Sequence, residues 1–333
     1  MRIIGYVGDN YLTAVTEEDA HILDTINIAF GHVGEDYLLE ANGITHLYAL
    51  KQIREWNPDM KVVLSVGGWG AGRFSLMSRT EEGRKNFAAS CAKFVFDNGL
   101  DGIDIDWEYP CSDSANIDAD PSDKWNFTFL LQALRDALGK DKIVSIAAGA
   151  GTYFPRDTEM DKVGAICDYV QLMTYDMRSG FCPQAGHHTA PYASVGDDSG
   201  LDTKSITELF HAAGVPLEKL VIGSAFYSRR WTGVPDVNHG LFQQAGSLGM
   251  YGPGYTELKQ KFINKNGYTE YWDEAAQAPF LFNGNEFISY DNEKSVKAKC
   301  EYVKKAGVLG IMYWEHICDP DRNLLRVMGE NKF

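Results

Sequence analysis

Positive charge is scarce in this sequence. Lys and Arg total 31 against 46 Asp and Glu, a formal net charge of −15 over 333 residues. So acidic a chain repels phosphate backbones and anionic headgroups, which excludes nucleic acid and a membrane surface as expected partners. A neutral substrate is compatible with this charge. No run of about 18 apolar residues is present, so no spanning helix is expected. No leader precedes the first strand-like run, Ile3-Ile4-Gly5-Tyr6-Val7. The expected compartment is therefore the cytoplasm, with secretion and a leader absent from this chain as the alternative. Cysteine is sparse: Cys91, Cys111, Cys167, Cys182, Cys300 and Cys318, with no C-x-x-C pair. These read as reduced thiols rather than a disulfide framework or a zinc site, with a Cys111–Cys182 pairing left open. No metal and no cofactor is expected. No repeat of fixed period occurs either, and nothing suggests an obligate dimer, so a monomer is expected.

What the chain does have is rhythm. Short apolar strands alternate with segments of helical period. The strands read as Arg2–Val7, Ile26–Phe30, Lys61–Val66, the acidic stretch from Asp101, Ile143–Ala148, Asp168–Asp176, Lys219–Tyr227 and Gly307–Trp314. Between them lie helices such as the one opening at Thr80, with Glu81 and Glu82 in its first turn, and the one expected to be capped by Ser122. Eight such alternations predict an α/β fold, a closed (β/α)8 TIM barrel. The rhythm breaks over residues 231–291, which are rich in Gly, Asn, Tyr and Phe. They read as a small α+β insertion between strands seven and eight, leaving 1–230 and 292–333 as the barrel.

The stretch Asp101-Gly-Ile-Asp104-Ile-Asp106-Trp107-Glu108-Tyr109-Pro110 carries the chemistry. Strand side chains alternate, so Asp104, Asp106 and Glu108 share one face. Pro110 is the expected end of the strand. A calcium loop would need Gly at its sixth position, where Tyr109 stands. In a barrel the chemistry sits at the C-terminal strand ends. There the sequence places Tyr6, Phe30, Trp69, Tyr175, Asp176, Tyr227, Arg229 and Trp314 around the acids. Glu108, nearest the mouth, is the candidate general acid, its proton held by neighbouring carboxylates. Aromatic rings around a carboxyl-rich cleft suit the apolar faces of sugars.

The stretch resembles the D-G-x-D-x-D-W-E-Y-P signature of family 18 glycoside hydrolases, the chitinases. Ser65-Val-Gly67-Gly68 is similar to that family's S-x-G-G motif, and Met173-Thr-Tyr175-Asp176 to its M-x-Y-D motif. Tyr227-Ser-Arg229 resembles Y-G-R, with Ser228 replacing the usual Gly, and Trp314 the tryptophan closing strand eight. The likeness runs along nearly the whole chain, insertion included. It implies hydrolysis of β-1,4-linked N-acetylglucosamine, in chitin or chito-oligosaccharides, by a retaining, substrate-assisted route through an oxazolinium. Glu108 would then be acid and base. Asp106 would hold the acetamido N–H, and Asp104 would share a proton with Asp106 beside Ser65 and Tyr6. Tyr175 would donate to the acetamido carbonyl, and Trp314 would floor the pocket. Asp176 and Arg229 would grip the sugar. Two other readings stand beside it: an endo-β-N-acetylglucosaminidase acting on N-glycans or peptidoglycan, and a chitin-binding lectin. Trp107-Glu108-Tyr109-Pro110 favours the first branch over the glycan enzymes. Retention of Glu108 argues against a lectin. His187 and His188 read as structural loop residues, and Asp101, out of parity with the triplet, as a turn or cap.

Overall fold

A computed structural model describes residues 1–333. Eight strands form the central sheet: β1 (Arg2–Gly8), β2 (Thr25–Val33), β3 (Lys61–Gly67), β4 (Gly102–Asp106), β5 (Ile143–Gly149), β6 (Tyr169–Met173), β7 (Leu220–Ala225) and β8 (Gly310–Trp314). Each pairs in parallel with its neighbour in sequence, and β1 pairs with both β2 and β8. The sheet is thus closed, and the chain is a (β/α)8 TIM barrel. Its strands are apolar almost throughout because helices cover the outside while side chains fill the inside. Val62, Leu64 and Val66 of β3 face the helices within the large outer core. Ser65, between them, points inward.

The ring of helices includes Glu81–Asp97, Asp123–Leu138, Thr203–Ala212 and Glu293–Ala306. Three start as their sequences dictate. The Thr80 hydroxyl accepts from the Gly83 amide, Asp202 from Ser205, and Asn292 forms a reciprocal capping box with Ser295. Ser122 departs from expectation. Its hydroxyl accepts from Asn126 of its own helix rather than from a backbone amide. The neighbouring Asp123 carboxylate instead receives the amides of Asp120 and Cys111. Asp101 ties two strands together, accepting from the Val62 amide at 2.8 Å and from Arg54 at 3.1 Å. No helix is long and apolar enough to cross a membrane.

The acidic strand is shorter than alternation predicts. β4 stops at Asp106, and its ladder to β5 ends at Ile105. Trp107 nonetheless keeps the outward parity of Ile103 and Ile105 and joins them in the outer core. It stacks on Phe74 at 5.3 Å and meets Phe127 edge-on at 5.8 Å. Strand seven also breaks early. β7 ends at Ala225, and Tyr227–Thr232 begins a second, antiparallel sheet. The other strands of that sheet are Met250–Gly254, Thr269–Asp273, Ala278–Phe282 and Glu286–Ser289. The sheet has its own apolar cluster around Trp231, Phe280, Phe282 and Phe287. A buried ion pair pins it to the barrel. Lys299 donates to Asp291 at 2.7 Å, to the Thr189 hydroxyl at 2.6 Å and to the Gly223 carbonyl at 3.0 Å. Asp291 in turn accepts from Ser224 and the Ala225 amide of β7.

Candidate active site

The mouth at the C-terminal strand ends opens into a cleft of about 1390 Å³. Of the residues singled out from the sequence, Tyr6, Phe30, Trp69, Asp106, Glu108, Met173, Tyr175, Asp176, Tyr227, Arg229 and Trp314 line it. Asp104 and Ser65 do not, because both are fully buried beneath the cleft. Register explains the depth. Gly67 of β3 faces Asp106 so closely that a Cβ there would lie 2.0 Å from the Asp106 carbonyl oxygen, at a φ of +129°. Only glycine permits that approach. Backbone of cis geometry at Ala29–Phe30, Glu108–Tyr109 and Trp314–Glu315 also lies at this mouth.

The three carboxyls occupy different environments. Asp104 accepts four hydrogen bonds: from Tyr6 at 2.8 Å, Ser65 at 2.8 Å, Ser145 at 2.7 Å and Gln171 at 2.9 Å. Four donors saturate the lone pairs of one carboxylate, so none of its bonds goes to Asp106. Asp104 therefore has no lone pair left over for the proton that the resemblance implies it shares with Asp106. Burial pushes the Asp104 pKa up, and the four donors pull it back. Asp106 has the opposite setting. Its Oδ1 is buried without a partner. Burial, then the charges of Glu108 and Asp104, push its pKa well above the carboxylate range. Glu108 lies above both. Burial raises it to about 7, with the Tyr109 hydroxyl pulling down and the Asp176 charge adding to the rise. A carboxyl that titrates near neutrality can hold a proton and release it.

Asp176 is the counterpart. Arg229 grips it through both guanidinium arms, Nε to Oδ1 at 2.6 Å, and His188 Nδ1 stands 3.5 Å from Oδ1. Burial opposes its ionisation, yet His188 and Arg229 outweigh burial and hold its pKa well below the usual range. Asp176 is therefore a fixed anion. Aromatic rings frame the rest. Trp314 stacks on Phe30 at 5.5 Å and lies 5.8 Å from Tyr6. The Tyr175 hydroxyl has only the Met312 sulfur for company, at 3.8 Å, and so is free to donate into the cleft. Trp69 stands half-exposed at the rim, 5.8 Å from Phe181. Cys111 and Cys182 both reach the cleft lining but are free thiols.

The model for Glycosyl hydrolases family 18 matches residues 2–319. The chain belongs to glycoside hydrolase family 18. The structure of a family 18 N-acetylglucosaminidase from Paenibacillus barengoltzii superposes with a TM-score of 0.97 at 46% identity, covering 99% of each chain. The multi-modular chitinase ChiW of Paenibacillus sp. str. FPU-7 gives 0.92 at 36% identity over 100% of this chain and 43% of that one. Chitinase A1 of Niallia circulans is 36% identical over 83% of this chain. The chain spans half or less of the first curated relatives it matches: 43% of Chitinase A1 and 50% of a probable endochitinase of Caenorhabditis elegans.

Sequence reasoning missed several residues of this family 18 cleft. His188 lies fully buried against Asp176, although it read as an ordinary loop residue. Tyr251, from the inserted sheet, stacks on Tyr227 at 4.5 Å and 5°. Glu315, next to Trp314, also lines the cleft. Neither position carries a periodic or motif signal. Only the path of the chain brings them there.

Proposed function

We propose that this family 18 member hydrolyses β-1,4 linkages of N-acetylglucosamine in chitin or chito-oligosaccharides, retaining configuration through a nucleophile that belongs to the substrate. One observation carries the reading: beside the titratable Glu108, none of the three neighbouring carboxyls is an ionised, unpaired nucleophile. Asp104 is saturated by four donors, Asp176 is locked by Arg229, and Asp106 is pushed towards its neutral form. A two-carboxylate scheme needs an ionised, unpaired partner for the acid, and this family is one of its exceptions. The acetamido oxygen of the bound sugar therefore attacks its own anomeric carbon. Glu108 protonates the departing glycosidic oxygen, then takes a proton from the incoming water. Asp106, relieved of its proton towards Glu108 or solvent, accepts the acetamido N–H and faces the positive oxazolinium. Tyr175 donates to the acetamido carbonyl, Trp314 supports the ring face, and Asp176 with Arg229 grips the polar edge. The curated relatives named chitinases and endochitinases support the substrate class.

The test is stereochemical. Proton NMR during the first turnovers of a chito-oligosaccharide is expected to show the β-anomer forming first. First appearance of the α-anomer would exclude the scheme. A second reading, removal of single N-acetylglucosamine units, is favoured by the 46% identical Paenibacillus barengoltzii N-acetylglucosaminidase.

A further inference from the structure

Two amides meet inside the barrel. Asn27 stands on β2 and Gln171 on β6, four strands apart in a ring of eight and so on opposite sides of it. Both are fully buried, and neither lines the cleft. The Asn27 Nδ2 donates to the Gln171 Oε1 at 3.0 Å. The Gln171 Nε2 directs its own protons at the Tyr6 hydroxyl, at 3.0 Å, and at Asp104 Oδ1, at 2.9 Å.

That arrangement decides how Asp104 is held. No Lys, Arg or His donates to this carboxyl, so neutral donors alone support its charge. Ser145 and Gln171 serve Oδ1, and Tyr6 and Ser65 serve Oδ2. The ionisable groups around it are Tyr6, Tyr169, Tyr175, Cys167 and Asp106, and burial keeps the tyrosines and the thiol neutral. The Arg2 guanidinium lies over the Tyr169 ring at 5.5 Å and makes no bond to Asp104. A hydroxyl donates or accepts, so Ser65, Ser145 and Tyr6 are each free to turn and accept from a protonated carboxyl. A Gln amide donates only from its nitrogen. Turned over, Gln171 would set its oxygen against Asp104 Oδ1 and its nitrogen against the Asn27 nitrogen. Asn27 thus locks the amide as a donor. It keeps this sense although its own Oδ1 is left buried without a partner, a cost to the fold. Tyr6, already accepting from Gln171, is left to point its proton at Asp104 Oδ2. One amide therefore fixes two of the four donors.

We propose that Gln171, oriented by Asn27, is the positioning residue that holds Asp104 as an anion and so places the proton of the Asp104–Asp106 pair on Asp106, the member that lines the cleft. The inference rests on the hydrolase reading above and deepens it. Asp106 has an unpartnered Oδ1, so it is the member able to take the proton and later release it. The charges of Glu108 and Asp104 favour the proton there. No reactant is added: the proton that Asp106 gives up is the one passed to Glu108 or solvent in the parent reaction. Two residues outside the cleft thereby set which carboxyl starts the cycle charged.

The test reads Asp104 directly. Carbon-13 NMR of enzyme labelled at its aspartate carboxyls, with the Asp104 resonance assigned by its loss in Asp104→Asn, is expected to show a carboxylate from mildly acidic to mildly alkaline pH. Gln171→Met keeps the length of the side chain and removes the donor, and there the resonance is expected to titrate within that range. Asp106 is then the charged member at rest. It is also the one whose charge acts on Glu108, so the Glu108 pKa rises. The alkaline limb of kcat/KM on chitotetraose should accordingly move up by about half a pH unit or more. Asn27→Leu should move it the same way by less, and the double variant no further than Gln171→Met, because Asn27 acts through Gln171. A wild-type Asp104 resonance that titrates within the range overturns the proposal. So does a folded Gln171→Met enzyme whose rate falls equally at every pH, the mark of a merely structural role. The resonance is read without substrate. An enzyme that cleaves no chito-oligosaccharide therefore overturns the hydrolase reading, while the Asp104 resonance still decides this one.

Discussion

At the scale of single residues, Glu108 carries two opposed consequences. In the proposed reaction it is the proton donor, and Glu108→Gln should cost roughly 10²–10⁴ in rate while leaving oligosaccharide binding measurable by calorimetry. The wild-type rate should fall as pH rises through about 7, because the protonated form is the acid. The same raised pKa is a cost to the fold. Its ordinary value is 4.5 and its folded value about 7, so ionising it is penalised only in the native state. The penalty is absent below about pH 4.5, grows up to 7, and is constant above, at on the order of 3 kcal/mol. Glu108→Gln should therefore melt higher than wild type at pH 8, with the gap closing by pH 4. A variant that loses activity but melts identically at every pH would show that burial does not set this group. Asp106 and Asp104 were legible as a set because strand alternation put them on one face with Glu108. Their separate environments were not. Four donors from four different strands converge on Asp104, and no local pattern encodes that convergence.

Among the elements, the join between barrel and inserted sheet is the most exposed to mutation. Lys299 and Asp291 are both fully buried, and each satisfies the other and several neighbours. Removing one partner leaves a buried charge uncompensated, which costs about 3–5 kcal/mol. Lys299→Met should lose that much in urea denaturation, and pairing it with Asp291→Asn should restore part of the loss. The pair also holds the sheet that carries Tyr251, so the single variant should have a raised KM at temperatures where it is still folded. The eight barrel strands were readable because each is a short apolar run between helical stripes. Their ends were harder. Strand seven reads unbroken through Tyr227, yet it changes sheets after Ala225. Phe226 is captured by the outer core, stacked on Tyr313 at 4.2 Å and 6°. There a large aromatic finds a better partner outside the ladder, a tertiary preference that two-residue periodicity cannot reveal.

For the whole molecule, closure of the ring is the deciding event, and it joins residues some three hundred positions apart. The β1–β8 ladder supplies part of it. The rest is a charge cluster outside the sheet. Asp19, fully buried in the helix Glu17–Ile22, accepts from Arg322 Nε at 3.0 Å and Nη2 at 3.1 Å, with His316 Nε2 3.5 Å away. Arg322 also donates to the Ala14 carbonyl, and His316 Nδ1 meets the Tyr313 hydroxyl. Burial alone would raise the Asp19 pKa, but His316 and Arg322 outweigh it and hold it well below 3.8. A depressed carboxyl stabilises the native state above its unfolded pKa and loses that contribution as pH falls through the folded one. Arg322→Ala should therefore destabilise the protein by about 3–5 kcal/mol at pH 7, with the deficit shrinking below about pH 4 as the orphaned Asp19 takes a proton. None of these groups lines the cleft, so kcat at a temperature well below the melting transition should match wild type. Thermal melts at pH 7 and pH 3.5, read beside that rate, separate the two effects. A deficit that stays constant across both pH values would show that Arg322 acts by packing rather than by pairing with Asp19. A fall in kcat without unfolding would show that ring closure reaches the strand ends around Trp314.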